Sequence, residues 1–173
     1  MKQLIQIANI FAQVAIEEDT NYPELPKREY IFFMPDRHGK AVMLNAQQIF
    51  GGRQVNWLRE ENIGSGGPSN LVFKLEDGYR IVVEFKMRDK NMNDIDKLKR
   101  LESPRDARIF CLLLDPFTDP LPDPRIEQIE STAGCKMIPL LDPFPHFSTK
   151  FKSSPYDYSC LVAVWSVGEP PTM

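Results

Sequence analysis

The feature that most constrains this chain is a pair of strand-like runs within residues 70–86, joined at Glu76–Gly78. A three-residue hairpin loop commonly ends in a glycine with a left-handed backbone, which Gly78 can supply. The register that follows from this loop places Asn70 opposite Glu84. A two-residue Asp-Gly turn is the alternative, but it shifts the register by one residue and mixes the two faces of the hairpin.

With the three-residue loop, apolar and polar side chains separate onto opposite faces, because successive side chains of a strand point to opposite sides. One face is apolar or aromatic throughout: Leu71, Phe73, Leu75, Tyr79, Ile81, Val83 and Phe85. The other face carries five polar or charged side chains and two valines: Asn70, Val72, Lys74, Arg80, Val82, Glu84 and Lys86. The hairpin therefore has one face for a core, and Glu84 and Lys86 share the opposite face.

Helices and further strands are predicted on both sides of the hairpin. Apolar residues recur with the helical period over residues 2–18, and Asn93 can cap a helix that runs to residue 102. Residues 41–61 are ambiguous and could form a helical turn at 46–50 and a strand at 54–58. The remaining predictions are strands at 30–34, 109–114 and 159–167, a short helix at 124–131, and a turn or loop at 35–39.

The order helix, strand, hairpin, helix, strand predicts an α/β fold with a mixed central sheet flanked by helices. The length of 173 residues suits one domain with a substantial core. Eleven of the 15 prolines lie after residue 103. We therefore expect a core over about residues 1–114 and a proline-rich accessory layer over about 115–173 of the same domain.

Composition argues against several functional classes. Hydrophobic residues make up 42% and charged residues 26%, as in ordinary soluble proteins. The three cysteines are widely spaced and contain no C-x-x-C, which argues against a disulfide framework or a zinc site and favours a reducing cytoplasm. No apolar run suits a signal peptide or a membrane span. Phosphate-binding glycine motifs and serine-nucleophile motifs are absent from the sequence.

The tripeptide Glu84-Phe85-Lys86 ends the hairpin, and the predicted helix after it contains Asp94 and Lys97. Over roughly residues 64–114 this arrangement resembles the PD-(D/E)XK nuclease superfamily. The resemblance implies a restriction-endonuclease-like αβββαβ core and Mg²⁺ or Mn²⁺ as cofactor. It also implies that Lys86 orients or activates the attacking water and balances phosphate charge.

Asn70 stands where the superfamily has its first aspartate, so one of the two expected carboxylates is missing. The resemblance implies that the metal contacts Glu84, the backbone carbonyl of Phe85 and Asn70. Glu18 is a further candidate, because some members take a ligand from the first helix. The literal Pro-Asp pair at Asp36 lies well upstream of the hairpin, and we interpret it as a chance match.

The net charge of the chain is -3, but residues 74–108 hold ten Lys/Arg and eight Asp/Glu, a net of +2. This segment is where a nucleic-acid backbone would approach, with Lys90, Lys97 and Arg100 as candidate contacts. Ion pairing with nearby acidic residues is the structural alternative. We expect DNA rather than RNA, because most of the superfamily acts on DNA. A protein partner or a homodimer stays open.

Three hypotheses follow. The first is a metal-dependent nuclease with Glu84, Lys86 and Asn70 in its active site. The second is a catalytically inactive relative that keeps the fold and binds a protein or nucleic acid, which the neutral Asn70 favours. The third is an unrelated α/β domain, and it predicts no shared site for these three residues.

Overall fold

A computed structural model describes residues 1–21, 35–62, 64, 67–87, 93–114, 124–150 and 157–172. The helices are α1 Lys2–Asn21, α2 Pro35–Leu44, α3 Ala46–Phe50, α4 Asn93–Lys99 and α5 Pro124–Thr132. The strands are β1 Val55–Asn62, β2 Pro68–Leu75, β3 Arg80–Met87, β4 Asp106–Leu114, β5 Met137–Pro139, β6 His146–Lys150 and β7 Asp157–Val167.

The described strands form one seven-stranded mixed sheet with the order β1-β2-β3-β4-β7-β5. Strands β1, β2 and β3 form an antiparallel meander, whereas β3 and β4 are parallel. Strand β7 runs antiparallel to β4, and β5 and β6 pair with the other edge of β7. A parallel pair needs a crossover, and α4 lies within the one that joins β3 to β4. The predicted α/β architecture, a mixed sheet with flanking helices, is confirmed at this level.

The hairpin of β2 and β3 has the register that the three-residue loop predicts. Leu71 pairs with Val83 and Val72 pairs with Val82. Gly78 has φ +84°, the left-handed conformation that this loop needs and that a side chain would disfavour. The two-residue turn is therefore excluded, and the separation of the two faces is confirmed.

The two faces of the sheet bury two separate apolar clusters. The first lies beneath α1, α2 and α3 and contains the apolar hairpin face: Leu71, Phe73, Leu75, Ile81, Val83 and Phe85. The second lies beneath α4 and α5 and includes Val72, Val82, Ile95, Leu98 and Trp165. Because strand side chains alternate, Glu84 lies on the same face as Val82, towards α4.

Helix α2 replaces the turn or loop predicted at residues 35–39, and that prediction was wrong. Proline is well tolerated at the first helical position, and Asp36 suits the first turn of a helix. Gly39 is buried beside Trp57, and a Cβ at Gly39 would lie 2.6 Å from Cε3 of that ring. Gly39, which looked like a turn residue in the sequence, is therefore a glycine because the Trp57 ring leaves no room for a side chain.

The elements after residue 114 differ from the expected accessory layer. Strand β7 lies inside the sheet, between β4 on one edge and β5 and β6 on the other. All its side chains from 161 to 167 are buried, as is typical of an interior strand. The C-terminal segment thus completes the central sheet. The other predicted helices and strands lie within a few residues of their observed bounds, and the strand predicted at 30–34 lies outside the described residues.

Arg80 and Asp106 begin the neighbouring parallel strands β3 and β4 and form a two-pronged ion pair. Nε and Nη2 of Arg80 donate to the two carboxylate oxygens of Asp106 at 2.7 and 2.6 Å. The Asp106 side chain is 0% exposed, so its charge depends on this partner. The hydrogen bond to Asp106 is the main cause of a raised pKa of Arg80.

We predict that Arg80→Ala lowers the free energy of unfolding by about 3–5 kcal/mol, because it leaves a buried carboxylate unpaired. The matched control is Arg53→Ala, which removes the more exposed Arg53–Asp77 pair, 2.9 Å long, together with a hydrogen bond to the Phe50 carbonyl, and should cost much less because solvent screens the pair. Urea denaturation of both variants measures the difference. Equal, small losses would contradict a structural role for the Arg80–Asp106 pair.

Candidate active site

Glu84 and Lys86 lie near the end of β3, on the face of the sheet that α4 covers. The register of β2 and β3, continued by one pair beyond Leu71 and Val83, brings Asn70 opposite Glu84. Asn70 also contacts this end of β3 directly, because the backbone nitrogen of Phe85 donates a hydrogen bond of 2.8 Å to the Asn70 amide oxygen. The three residues that the sequence singled out therefore share one location.

Helix α4 brings two further charges to the same location. Lys97 Nζ lies 2.7 Å from Glu84 Oε1, and Lys86 Nζ lies 3.1 Å from Asp94 Oδ2. Asp94 and Lys97 are three residues apart, so they project from the same side of the helix. Each strand charge is thus matched by an opposite charge on α4, and Glu84 does not pair with its strand neighbour Lys86.

The carboxylate of Glu84 is buried to an unusual degree, with only 1% of the residue exposed. Burial raises the pKa of Glu84, whereas Lys97 and the Ser69 hydroxyl act in the opposite direction. Oε1 of Glu84 and Oγ of Ser69 are buried and make no well-formed hydrogen bond within the part of the chain that the structure describes. The Lys97 contact at Oε1 is therefore an ion pair without good hydrogen-bond direction.

Asn70 has a structural task in addition to its expected functional one. The Asn70 amide oxygen accepts a hydrogen bond from the backbone N–H of Phe85. This hydrogen bond extends the contact between β2 and β3 beyond the last paired residues, Leu71 and Val83. The Phe85 side chain lies in the first apolar cluster, with its ring 5.1 Å from the ring of Phe11. Asn70 thus fixes the backbone of the residue between Glu84 and Lys86.

The remaining candidate residues lie in different settings. Lys97 is largely buried against Glu84 and also donates to the Pro68 carbonyl, so it holds β2, β3 and α4 together. Arg100 is exposed directly after α4. Glu18 lies in α1, but its side chain is not among the described ones, and Lys90 lies outside the described residues.

The Pro-Asp pair in α2 is not part of this location. Asp36 forms an exposed ion pair with Arg59, 3.1 Å long, and α2 covers the opposite face of the sheet. The interpretation of this pair as a chance match agrees with its position.

Asp94 is the acidic residue of this location to which the sequence analysis gave no functional role. It was visible as a polar residue in the first turn of a predicted helix, where acidic residues are common for electrostatic reasons. Its spacing of three from Lys97 placed the two on one side of α4. The side of α4 that faces the sheet is set by the packing of its buried residues, Ile95 and Leu98.

Glu84 and Asn70 have the type of donor atom that a hard divalent cation prefers, because both offer side-chain oxygens. Their combined charge is low. Asn70 is neutral, its oxygen already accepts one hydrogen bond, and the ammonium of Lys97 lies against Glu84. Among the described residues, no group of three or more His, Cys, Asp or Glu side chains could hold a metal ion.

Comparison of the chain with known protein families, with curated proteins and with solved structures found no match. Within the described residues, none of the helices is both long enough and apolar enough to cross a membrane.

The raised pKa of Glu84 predicts how stability depends on pH. Folding favours the protonated carboxyl, so Glu84 stabilises the fold less as pH rises from its ordinary value of 4.5 through its raised value. Glu84→Gln cannot ionise, so the stability of the wild type relative to this variant should fall across that window. Urea denaturation at a series of pH values measures the difference.

The control for this prediction is Glu76→Gln, which changes an exposed glutamate in the hairpin turn. Its stability relative to the wild type should change far less with pH. A wild type that gains stability over Glu84→Gln as pH rises would contradict the assigned environment of Glu84.

Proposed function

We propose that this chain is a PD-(D/E)XK nuclease-like protein that hydrolyses phosphodiester bonds in nucleic acid, DNA rather than RNA, with Mg²⁺ or Mn²⁺. The observation that carries the proposal is the arrangement at the end of β3. Glu84 and Lys86 share one face, Asn70 contacts the residue between them, and a second lysine approaches from α4. In such a group, the carboxylate and amide oxygens are suited to a metal cation, and the ammonium groups are suited to a phosphate.

The order of the elements also supports the proposal. Helix α1 precedes the meander β1-β2-β3, α4 follows it, and β4 then pairs parallel to β3. Apart from α2 and α3, which lie between α1 and β1, this order is compatible with the αβββαβ core that the sequence resemblance implies. The finer assignment to a restriction-endonuclease-like fold is part of the proposal.

The proposed chemistry divides the work among the residues of the site. A bound Mg²⁺ would neutralise phosphate charge and lower the pKa of a bound water. Glu84 and Asn70, with the Phe85 carbonyl, would hold the ion through oxygens. Lys86 would orient the attacking water or balance charge on the phosphate. Lys97 would have to leave Glu84, and its ammonium would then be free to contact a phosphate oxygen.

A catalytically inactive relative that binds a protein or nucleic acid is the second candidate function. The observation that favours it is the charge balance among the described residues of the site, where Lys97 pairs with Glu84 and Lys86 pairs with Asp94. An internally compensated set of charges exerts little net attraction on a cation. In this case the exposed Arg100 and its surroundings would contribute to a binding surface.

We predict that the wild-type protein cleaves single- or double-stranded DNA when Mg²⁺ or Mn²⁺ is present. Lys86→Ala should lower the rate by about 10²–10⁴-fold, the usual contribution of a group that assists proton transfer. Lys40→Ala, which removes an exposed lysine from α2, should leave the rate unchanged. The measurement is a cleavage assay on labelled DNA and RNA substrates with each metal.

A folded wild-type protein that cleaves none of these substrates would contradict the proposed nuclease activity. Binding of the same substrates without metal would then support the inactive relative. Equal rates for Lys86→Ala and Lys40→Ala would show that any cleavage arises from another site or from a contaminant.

A further inference from the structure

We propose that the outer edge of β1 is the interface of a homodimer, in which β1 pairs antiparallel with β1 of a second copy of this chain about a two-fold axis at Trp57. The sheets of the two copies then join into one continuous sheet. The interface lies at the edge of the sheet and involves none of the side chains at the end of β3, so it goes beyond the proposed nuclease activity and does not depend on it.

The backbone of β1 has hydrogen-bonding groups that point away from β2. Strand β1 ends the order of the described strands, so only one of its edges pairs with another described strand, β2. In an antiparallel strand, the backbone groups of successive residues point alternately to the two edges. The N–H of Glu76 donates to the carbonyl of Gln54 at 3.1 Å, so Gln54 points towards β2. The N–H and C=O groups of Val55, Trp57 and Arg59 therefore point outward.

The side chains of this edge are largely apolar and incompletely buried. Val55 and Trp57 pack against the first apolar cluster but stay partly exposed, and Leu58, on the opposite face, is 42% exposed. Residues 55–59 include no lysine and no proline. Proteins usually protect an open sheet edge with lysine, proline or a bulge, because an apolar edge associates with other strands. The edge at 55–59 is therefore suited to pairing with another strand.

The regular part of β1 determines how two copies can pair. Residues 55–59 have consecutive partners in β2, whereas Glu60 has φ +47° and no registered partner there. A two-fold axis at Trp57 pairs the whole regular part with itself, so that every outward N–H and C=O group at 55–59 gains a partner from the second copy. The axis gives the following pairs between the copies: Trp57 with Trp57, Val55 with Arg59, and Asn56 with Leu58.

The charges near this edge favour a second copy as the partner. Arg59 is the only charged residue in the regular part, and it faces Val55 of the other copy, so no like charges are opposed. Continued beyond the regular part, the same register brings Arg53 of one copy towards Glu61 of the other. An axis at residue 58 would bring the irregular Glu60 into the ladder, and an axis at residue 59 would place Arg59 opposite itself, which is destabilising.

The test is sedimentation equilibrium of the full chain over a range of concentrations, which measures the dissociation constant of the dimer. Arg59→Pro should raise this constant by about tenfold or more, because proline removes one outward N–H from each copy. Arg59→Ala is the matched control. It also removes the exposed ion pair with Asp36 but keeps the N–H, so it should change the constant by less than about threefold.

Leu58→Lys carries the test if Arg59→Pro does not fold. It adds a lysine to each copy, and the two like charges lie diagonally across the axis, so the dissociation constant should again rise by about tenfold or more. The control is Ile5→Lys, which makes a comparable change at a residue of α1 that is 39% exposed. Ile5→Lys should leave the dissociation constant unchanged.

Hydrogen exchange at the outward N–H groups completes the test. A wild type that sediments as a dimer, with slow exchange at Val55, Trp57 and Arg59, would support the interface. A wild type that stays monomeric at millimolar concentration would overturn it. Slow exchange in that monomer would assign the edge to another segment of the same chain, and fast exchange would leave it open to a different protein. A dimer that Arg59→Pro and Leu58→Lys leave unchanged would also overturn the interface, because the copies would then associate through another surface.

Discussion

The ion pair between Lys97 and Glu84 is the contact on which the arrangement of this site depends. A carboxylate that is 1% exposed has lost nearly all its hydration, and such a loss costs several kcal/mol unless an opposite charge compensates it. Lys97 compensates it from 2.7 Å away and also donates to the Pro68 carbonyl at the start of β2. The lysine therefore joins the two hairpin strands to α4, and the position of α4 decides which other side chains reach the site.

The sheet supplies the rigid support for this arrangement. Both its faces are covered, and the hairpin contributes apolar side chains to the first cluster through Leu71 and Phe73 and to the second through Val72 and Val82. Glu84 follows Val82 on the α4 side, where the apolar cluster gives way to polar groups. Side chains fixed on packed strands and helices are better positioned for chemistry than side chains on loops.

The extent to which sequence predicted this structure differs from element to element. The hairpin register was predictable because Gly78 and the alternation of apolar residues are local signals. The helix at α2 was missed because Gly39 has a packing role that depends on Trp57, which lies on a different element. The interior position of β7 was missed because a proline-rich neighbourhood says nothing about which strands pair. At the site, Glu84, Lys86 and Asn70 were predictable from the hairpin alone, whereas Asp94 depends on the packing of α4 against β3.

The central claim is that the ion pair between Lys97 and Glu84 holds α4 against the end of the hairpin. The most direct measurement is a double-mutant cycle with Glu84→Gln, Lys97→Met and the double variant, each denatured in urea at neutral pH. We predict a coupling energy of about 1–3 kcal/mol, because each single substitution leaves a buried group without its partner. Single effects that add to within about 0.5 kcal/mol would contradict the account.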